Sequence, residues 1–121
     1  MALNIDDDGT IYVYQGDSGD INVKGLRTDN DYVIYFAVKN DERETIGSEL
    51  SVHSNYQPNV QFILTSSFTN LLTVPSDDGY AVYYYGLKAC ANNIEDTLFV
   101  ANTDYGQLNK IIVYPKQVEG V

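Results

Sequence analysis

Tryptophan is absent from this 121-residue chain, histidine and cysteine occur once each, and only three prolines interrupt it. Each scarcity removes a class of function. A single cysteine, Cys90, excludes an internal disulfide and a cysteine-rich zinc site, and fits a reducing compartment. Flanked by Ala89 and Ala91, it reads as a small buried apolar residue rather than a reactive thiol. A single histidine, His53, leaves little for general-base or metal chemistry. Neither a P-loop nor a dinucleotide fingerprint, CxxC pair or HExxH motif occurs. No run approaches the roughly 18 apolar residues needed to cross a bilayer, and MALNIDDDGT lacks the basic and apolar parts of a signal peptide. The expectation is a protein that is no enzyme, binds no cofactor, meets no membrane and is made and kept in a cytoplasm.

Basic residues are also few. Seven Lys and Arg stand against seventeen Asp and Glu, a formal charge of -10. Phosphate backbones repel such a surface, because binding them rests on Lys and Arg displacing counterions, so nucleic acid is excluded as a direct partner. The charge serves solubility, or it forms an acidic face that meets a basic partner.

What is present is alternation. Apolar residues make up 44% of the chain, enough for one domain with its own core, and they recur with period two rather than at helical spacing. Strands are predicted at 11–15, 20–24, 32–39, 48–53, 59–64, 79–89, 97–101 and 110–114. The stretch 32–39 (YVIYFAVK) is β-branched and aromatic throughout and suits a central strand covered on both faces. Asn40 to Glu44 reads as a charged connection, and 48–53 as a short edge strand. Thr65, Ser66 and Ser67 cap one helical turn near 66–72. Seven or eight short strands separated by turn signals predict an all-β, two-layer antiparallel β-sandwich spanning 1–121, with 1–8 and 117–121 as loose ends.

Four groups of residues invite chemistry. Gly16-Asp17-Ser18-Gly19 carries the letters that surround the nucleophile in one large class of serine hydrolases. Ser18 would need a base and a group to orient it, and His53 is the one imidazole available. Lying between two predicted strands, GDSG reads as a turn in which Gly supplies positive φ. His53 itself reads as an exposed residue of an edge strand. Asn4 to Ile11 matches the first positions of an EF-hand loop, but Gln15 stands where the bidentate Glu is required; Asp6, Asp7 and Asp8 read as a solvated lead-in open to a test of weak calcium binding. Tyr83, Tyr84 and Tyr85 are the most unusual feature among eleven tyrosines. Alternation sends Tyr83 and Tyr85 to one face and Tyr84 to the other. They pack as wet-ended core rings, or they form an interaction surface, in the alternative function a carbohydrate- or surface-binding platform.

Taken in order, YQGDSGDINVKGL, DYVIYFAVKN, NVQFILTSSFTNLL, YAVYYYGLKAC and IIVYPKQVEG resemble the N-terminal domain of phage upper-baseplate proteins (the BppU type) and related Ig-like phage tail modules. The matching motifs are Gly16-Asp17-Ser18, Phe36-Ala37-Val38-Lys39 and Val60-Gln61-Phe62-Ile63-Leu64-Thr65, over roughly residues 10 to 120. The resemblance implies an Ig-like sandwich that serves as a structural or adaptor module of a virion, in the baseplate, tail or fibre attachment. It would act through contacts with other virion proteins, as a homo-oligomer, after assembly in the host bacterial cytoplasm.

Overall fold

In the computed structural model, residues 3–75, 77–98 and 109–118 are described. Among these residues nine strands and one short helix follow one another: β1 (Asn4–Ile5), β2 (Ile11–Tyr14), β3 (Gly19–Val23), β4 (Val33–Lys39), β5 (Thr45–His53), β6 (Val60–Leu64), α1 (Ser66–Thr69), β7 (Ala81–Ala91), β8 (Ile94–Leu98) and β9 (Asn109–Tyr114). The large sheet has the order β1-β2-β9-β7-β4-β5. β7 is long enough to pair with β9 over residues 81–85 and with β8 over residues 87–91. β3 and β6 form a two-stranded second layer.

Period two explains why these segments become strands. In β2, Ile11 and Val13 are buried while Tyr12 and Tyr14 are not; in β9, Ile111 and Val113 are buried and Lys110 is exposed. In the second layer Ile21, Val60, Phe62 and Leu64 turn inward. A one-residue slip would expose each of these sets, which is what holds the register. The layers meet at Phe36, whose ring lies 5.6 Å from that of Phe62 and 5.4 Å from that of Tyr85.

Several expectations are corrected. The sheet is mixed, because β2 runs parallel to β9 with Ile11 opposite Ile111 and Val13 opposite Val113. The chain between them supplies the crossover that a parallel pair needs. Residues 4 and 5, expected in a loose end, pair with β2. β4 is central, between β5 and β7, yet only Ile34, Phe36, Ala37 and Val38 within it are buried, so among the described residues no layer covers its outer face. β5 begins at Thr45 because Asn40 closes the preceding turn: its Oδ1 accepts the N–H groups of Glu42 and Glu44, each at 2.9 Å. β8 lies three residues earlier than the predicted strand, because Asn92 adopts a left-handed φ of 53° and closes a two-residue hairpin between Ala91 and Ile94. Residues 99–101 of that prediction fall outside the described residues.

The helix is shorter than predicted. Thr65 caps it, its Oγ1 accepting the Phe68 N–H at 3.1 Å. The buried Thr69 hydroxyl donates to the Asp17 carbonyl at 2.7 Å, which ties the helix to the GDSG loop. That loop is a turn: Gly16 has φ 88°, and the Asp17 N–H donates to the Tyr14 carbonyl at 3.1 Å.

Candidate interaction surface

The triple tyrosine divides as alternation requires, but its two-residue face is the inner one. Tyr83 and Tyr85 are 8% and 3% exposed, with hydroxyls donating to the Thr73 carbonyl at 2.7 Å and the Gly9 carbonyl at 2.5 Å. Their rings are core, so they offer no platform to a partner. Tyr84 alone of the three turns outward and is half-buried.

Burial raises the Tyr85 phenol, with the nearby Asp8 charge adding to it, and its pKa moves from 10.0 to about 12. The unfolded chain therefore loses this proton before the folded one does. The stability it confers is complete below pH 10 and disappears as pH rises through about 12. Tyr85→Phe abolishes that titration, and its lost bond to Gly9 costs about 1 kcal/mol at neutral pH. Urea unfolding stepped through this alkaline window should show wild type losing its advantage over Tyr85→Phe. A constant difference between the two would refute the assignment.

Tyr84 belongs to a continuous outer face. Across the sheet it stands between Lys39 of β4 and Lys110 of β9. The next row joins Val82, Ile112 and Tyr12, and beyond it Tyr14 meets Tyr114 with ring centroids 5.4 Å apart. In the other direction Ala37 pairs with Gly86, and Tyr35 with Lys88. The Tyr12 phenol is raised chiefly by its hydrogen bond to the Asp6 carboxylate. Lys88 and Glu95 form an ion pair at 2.8 Å, which raises the former and lowers the latter. No second layer lies over this face among the described residues, where the second sheet covers the opposite side.

Of this surface the sequence singled out Tyr84 alone, although one further signal was available. Lys88 shares parity with Tyr84, and a lysine marks the wet face of a strand.

The other singled-out residues are not brought together. Ser18 sits in the loop before Gly19, which pairs with Leu64 at the end of β6; His53 precedes the turn that leads to Val60 at its start. The length of β6, about 13 Å, separates the two ends. His53 Nδ1 lies 3.3 Å from Asp31 Oδ2, at the end of the exposed edge strand β5. Asp6, Asp7 and Asp8 form the β1–β2 turn, where Asp8 accepts the Thr10 N–H at 3.0 Å; that bond is the main reason its carboxyl is lowered. Among the described residues no group of three or more His, Cys, Asp or Glu side chains is arranged to hold a metal ion. Cys90 is a half-buried free thiol on the outer side of β7, not a core residue, because it shares parity with Lys88. Among the described residues no helix is long and apolar enough to cross a membrane.

No family model matches the chain, and no curated protein matches it in sequence. Among solved structures it is similar to the crystal structure of the periplasmic chaperone SfaE, with a TM-score of 0.55 and 13% identity. The match covers 93% of this chain and 56% of that one, so the chain spans little more than half its length. What is shared is the fold. The chain is an all-β, Ig-like sandwich.

Proposed function

We propose that the chain is a non-enzymatic structural or adaptor module of a phage virion, docking other virion proteins through the outer face of its large sheet. The motif order in the sequence points to the baseplate, tail or fibre attachment. One observation of the structure supports a docking role: Tyr12, Tyr14, Tyr35, Tyr84, Tyr114 and Ile112 turn outward from four adjoining strands with no layer over them among the described residues. Neighbouring strands lie about 4.8 Å apart, so four of them and their side chains give a face roughly 15–20 Å across, comparable to a modest protein contact. Tyrosine suits that use, since its ring supplies contact area while its hydroxyl tolerates water in the free state. The alternative, a carbohydrate- or surface-binding module on a tyrosine platform, would have to use these outward tyrosines rather than the buried Tyr83 and Tyr85.

Mass spectrometry of purified particles from the chain's source should find it among the virion proteins. Tyr14→Glu combined with Tyr84→Glu should leave the chain folded, as judged by thermal melting, and abolish its incorporation. Particles that lack the wild-type chain, or that take up the double variant normally, would defeat the proposal.

A further inference from the structure

We infer that Tyr56 anchors a second protein partner, its ring entering an apolar socket on a polypeptide other than this chain. An adaptor joins two partners, so the inference rests on the adaptor reading above and adds a contact that the outer face does not supply. Tyr56 lies in the connection that takes the chain from β5 of the large sheet to β6 of the second layer, at an end of the sandwich and off that face.

Folding does not ask for a tyrosine there. Asn55 and Tyr56 have φ of 51° and 60°, and the Gln57 N–H donates to the Ser54 carbonyl at 3.0 Å. Positive φ at both central positions makes a type I′ turn, whose local preference is Asn-Gly. Asparagine suits the first place, but a bulky ring in the second is an outlier. Among the described residues four other than glycine have positive φ: besides Tyr56, two are asparagines, and Arg43 closes the β4–β5 turn. The Tyr56 side chain is 56% exposed, and among the described residues its hydroxyl has no hydrogen-bond partner and its ring no ring partner, so little packing offsets the strain.

A strained residue persists where its surroundings hold it, and such residues cluster at binding sites. The surroundings here are fixed. Ser54 is 2% exposed and exchanges two bonds with Tyr32: its N–H donates to the Tyr32 carbonyl at 2.7 Å, and its Oγ accepts the Tyr32 N–H at 2.9 Å. Asp31 Oδ1 accepts the Asn55 N–H at 2.8 Å, and the Pro58 carbonyl accepts the Leu26 N–H at 3.0 Å. The ring is thus displayed on a turn tied at both feet, which reduces the ordering that binding has to impose.

Composition points to a protein as the occupant. Residues 55–59 (NYQPN) are all exposed and carry no charge, in a chain with a formal charge of -10. Loss of charge around a tyrosine marks the centre of a protein contact, where neutral neighbours exclude water from the anchor. A saccharide would need several groups of this chain converging on it, whereas these successive exposed residues project outward.

Melting and photocrosslinking test the anchor together. Tyr56→Gly, which meets the local preference of the turn, should raise the melting temperature by about 2–5 °C. The whole chain with Tyr56→p-benzoylphenylalanine, irradiated in a lysate of its source, should give one adduct, identified by mass spectrometry as a single other protein. Excess wild type should suppress that adduct, as should excess Arg43→Gly, which relieves left-handed backbone in the β4–β5 turn instead. Tyr56→Gly should compete at least about tenfold less well. No adduct, equal competition by Tyr56→Gly, an adduct with a saccharide or with a second copy of this chain, or a Tyr56→Gly that melts no higher than wild type overturns the anchor. Tyr84→p-benzoylphenylalanine reports on the outer face separately: an adduct from position 84 without one from position 56 sinks only the anchor, and the reverse sinks only docking through the outer face.

Discussion

Phe36→Ala is expected to lower the unfolding free energy by about 3–5 kcal/mol, the range for deleting a large aromatic side chain from a core. Phe36 is fully buried at the middle of β4, and its ring is the one that touches both Phe62 of the second layer and Tyr85 of the first. Truncation leaves a void between the layers that neither sheet can close without breaking register. A domain of this size has a total stability of about 5–15 kcal/mol, so the variant would retain a small part of it. Tyr35→Ala makes a matched control one residue away. Its ring is half-buried on the outer face, and its loss should cost about 1 kcal/mol or less. Urea unfolding followed by circular dichroism measures both. Equal losses at the two positions would mean that β4 does not alternate between core and surface as described.

That pair also shows why much of the fold was legible. Where one face of a strand is buried and the other wet, the order of residues states the answer, and β2, β3, β4, β6 and β9 were found within a residue or so of their ends. The turn at Gly16 was legible because positive φ and short polar side chains are local properties. Pairing partners are not local. Nothing in Ile11-Tyr12-Val13-Tyr14 announces that residues 111–114 will lie alongside it in parallel. β1 is two residues long and exists because β2 offers it an edge, so its own sequence carries almost no signal.

The candidate surface was only partly legible for a related reason. Alternation told which tyrosines share a face but not which face is core. In β7 the decision belongs to the whole strand: Leu87, Ala89 and Ala91 continue the parity of Tyr83 and Tyr85 inward, while Lys88 keeps Tyr84 outside. Three successive tyrosines drew attention to the most aromatic residues rather than to the most accessible ones. The rows that matter run across strands far apart in sequence, and Lys39, Tyr84 and Lys110 become neighbours only through pairing.

Gly47→Val is expected to cost about 2–5 kcal/mol, from two sources that a second variant can separate. Gly47 lies in β5 where the register shifts: Leu50 opposes Phe36 and Ile46 opposes Val38, so β5 carries extra residues against β4. The strand absorbs them by taking Gly47 to φ 68°, a left-handed conformation that costs an L-residue about 1–2 kcal/mol. A Cβ at this position would also lie 3.1 Å from Phe68 Cε2 and 3.2 Å from Leu71 Cδ1, so the side chains that follow the Thr65 cap would have to move. Forcing extra carbons into such a contact adds about 1–3 kcal/mol. Gly25 has φ 78° with nothing within 4 Å of the same built atom, so Gly25→Val carries the backbone cost without the crowding. Its loss should stay near 1–2 kcal/mol, roughly the backbone contribution alone. If urea unfolding gives the two variants the same loss, the contact between the β5 bulge and the Phe68–Leu71 turn contributes nothing to stability. A much larger loss at Gly47 shows that the edge strand is pinned to the core through that turn, and that β5 keeps Ile46 and Leu50 facing inward because glycine lets it bend there.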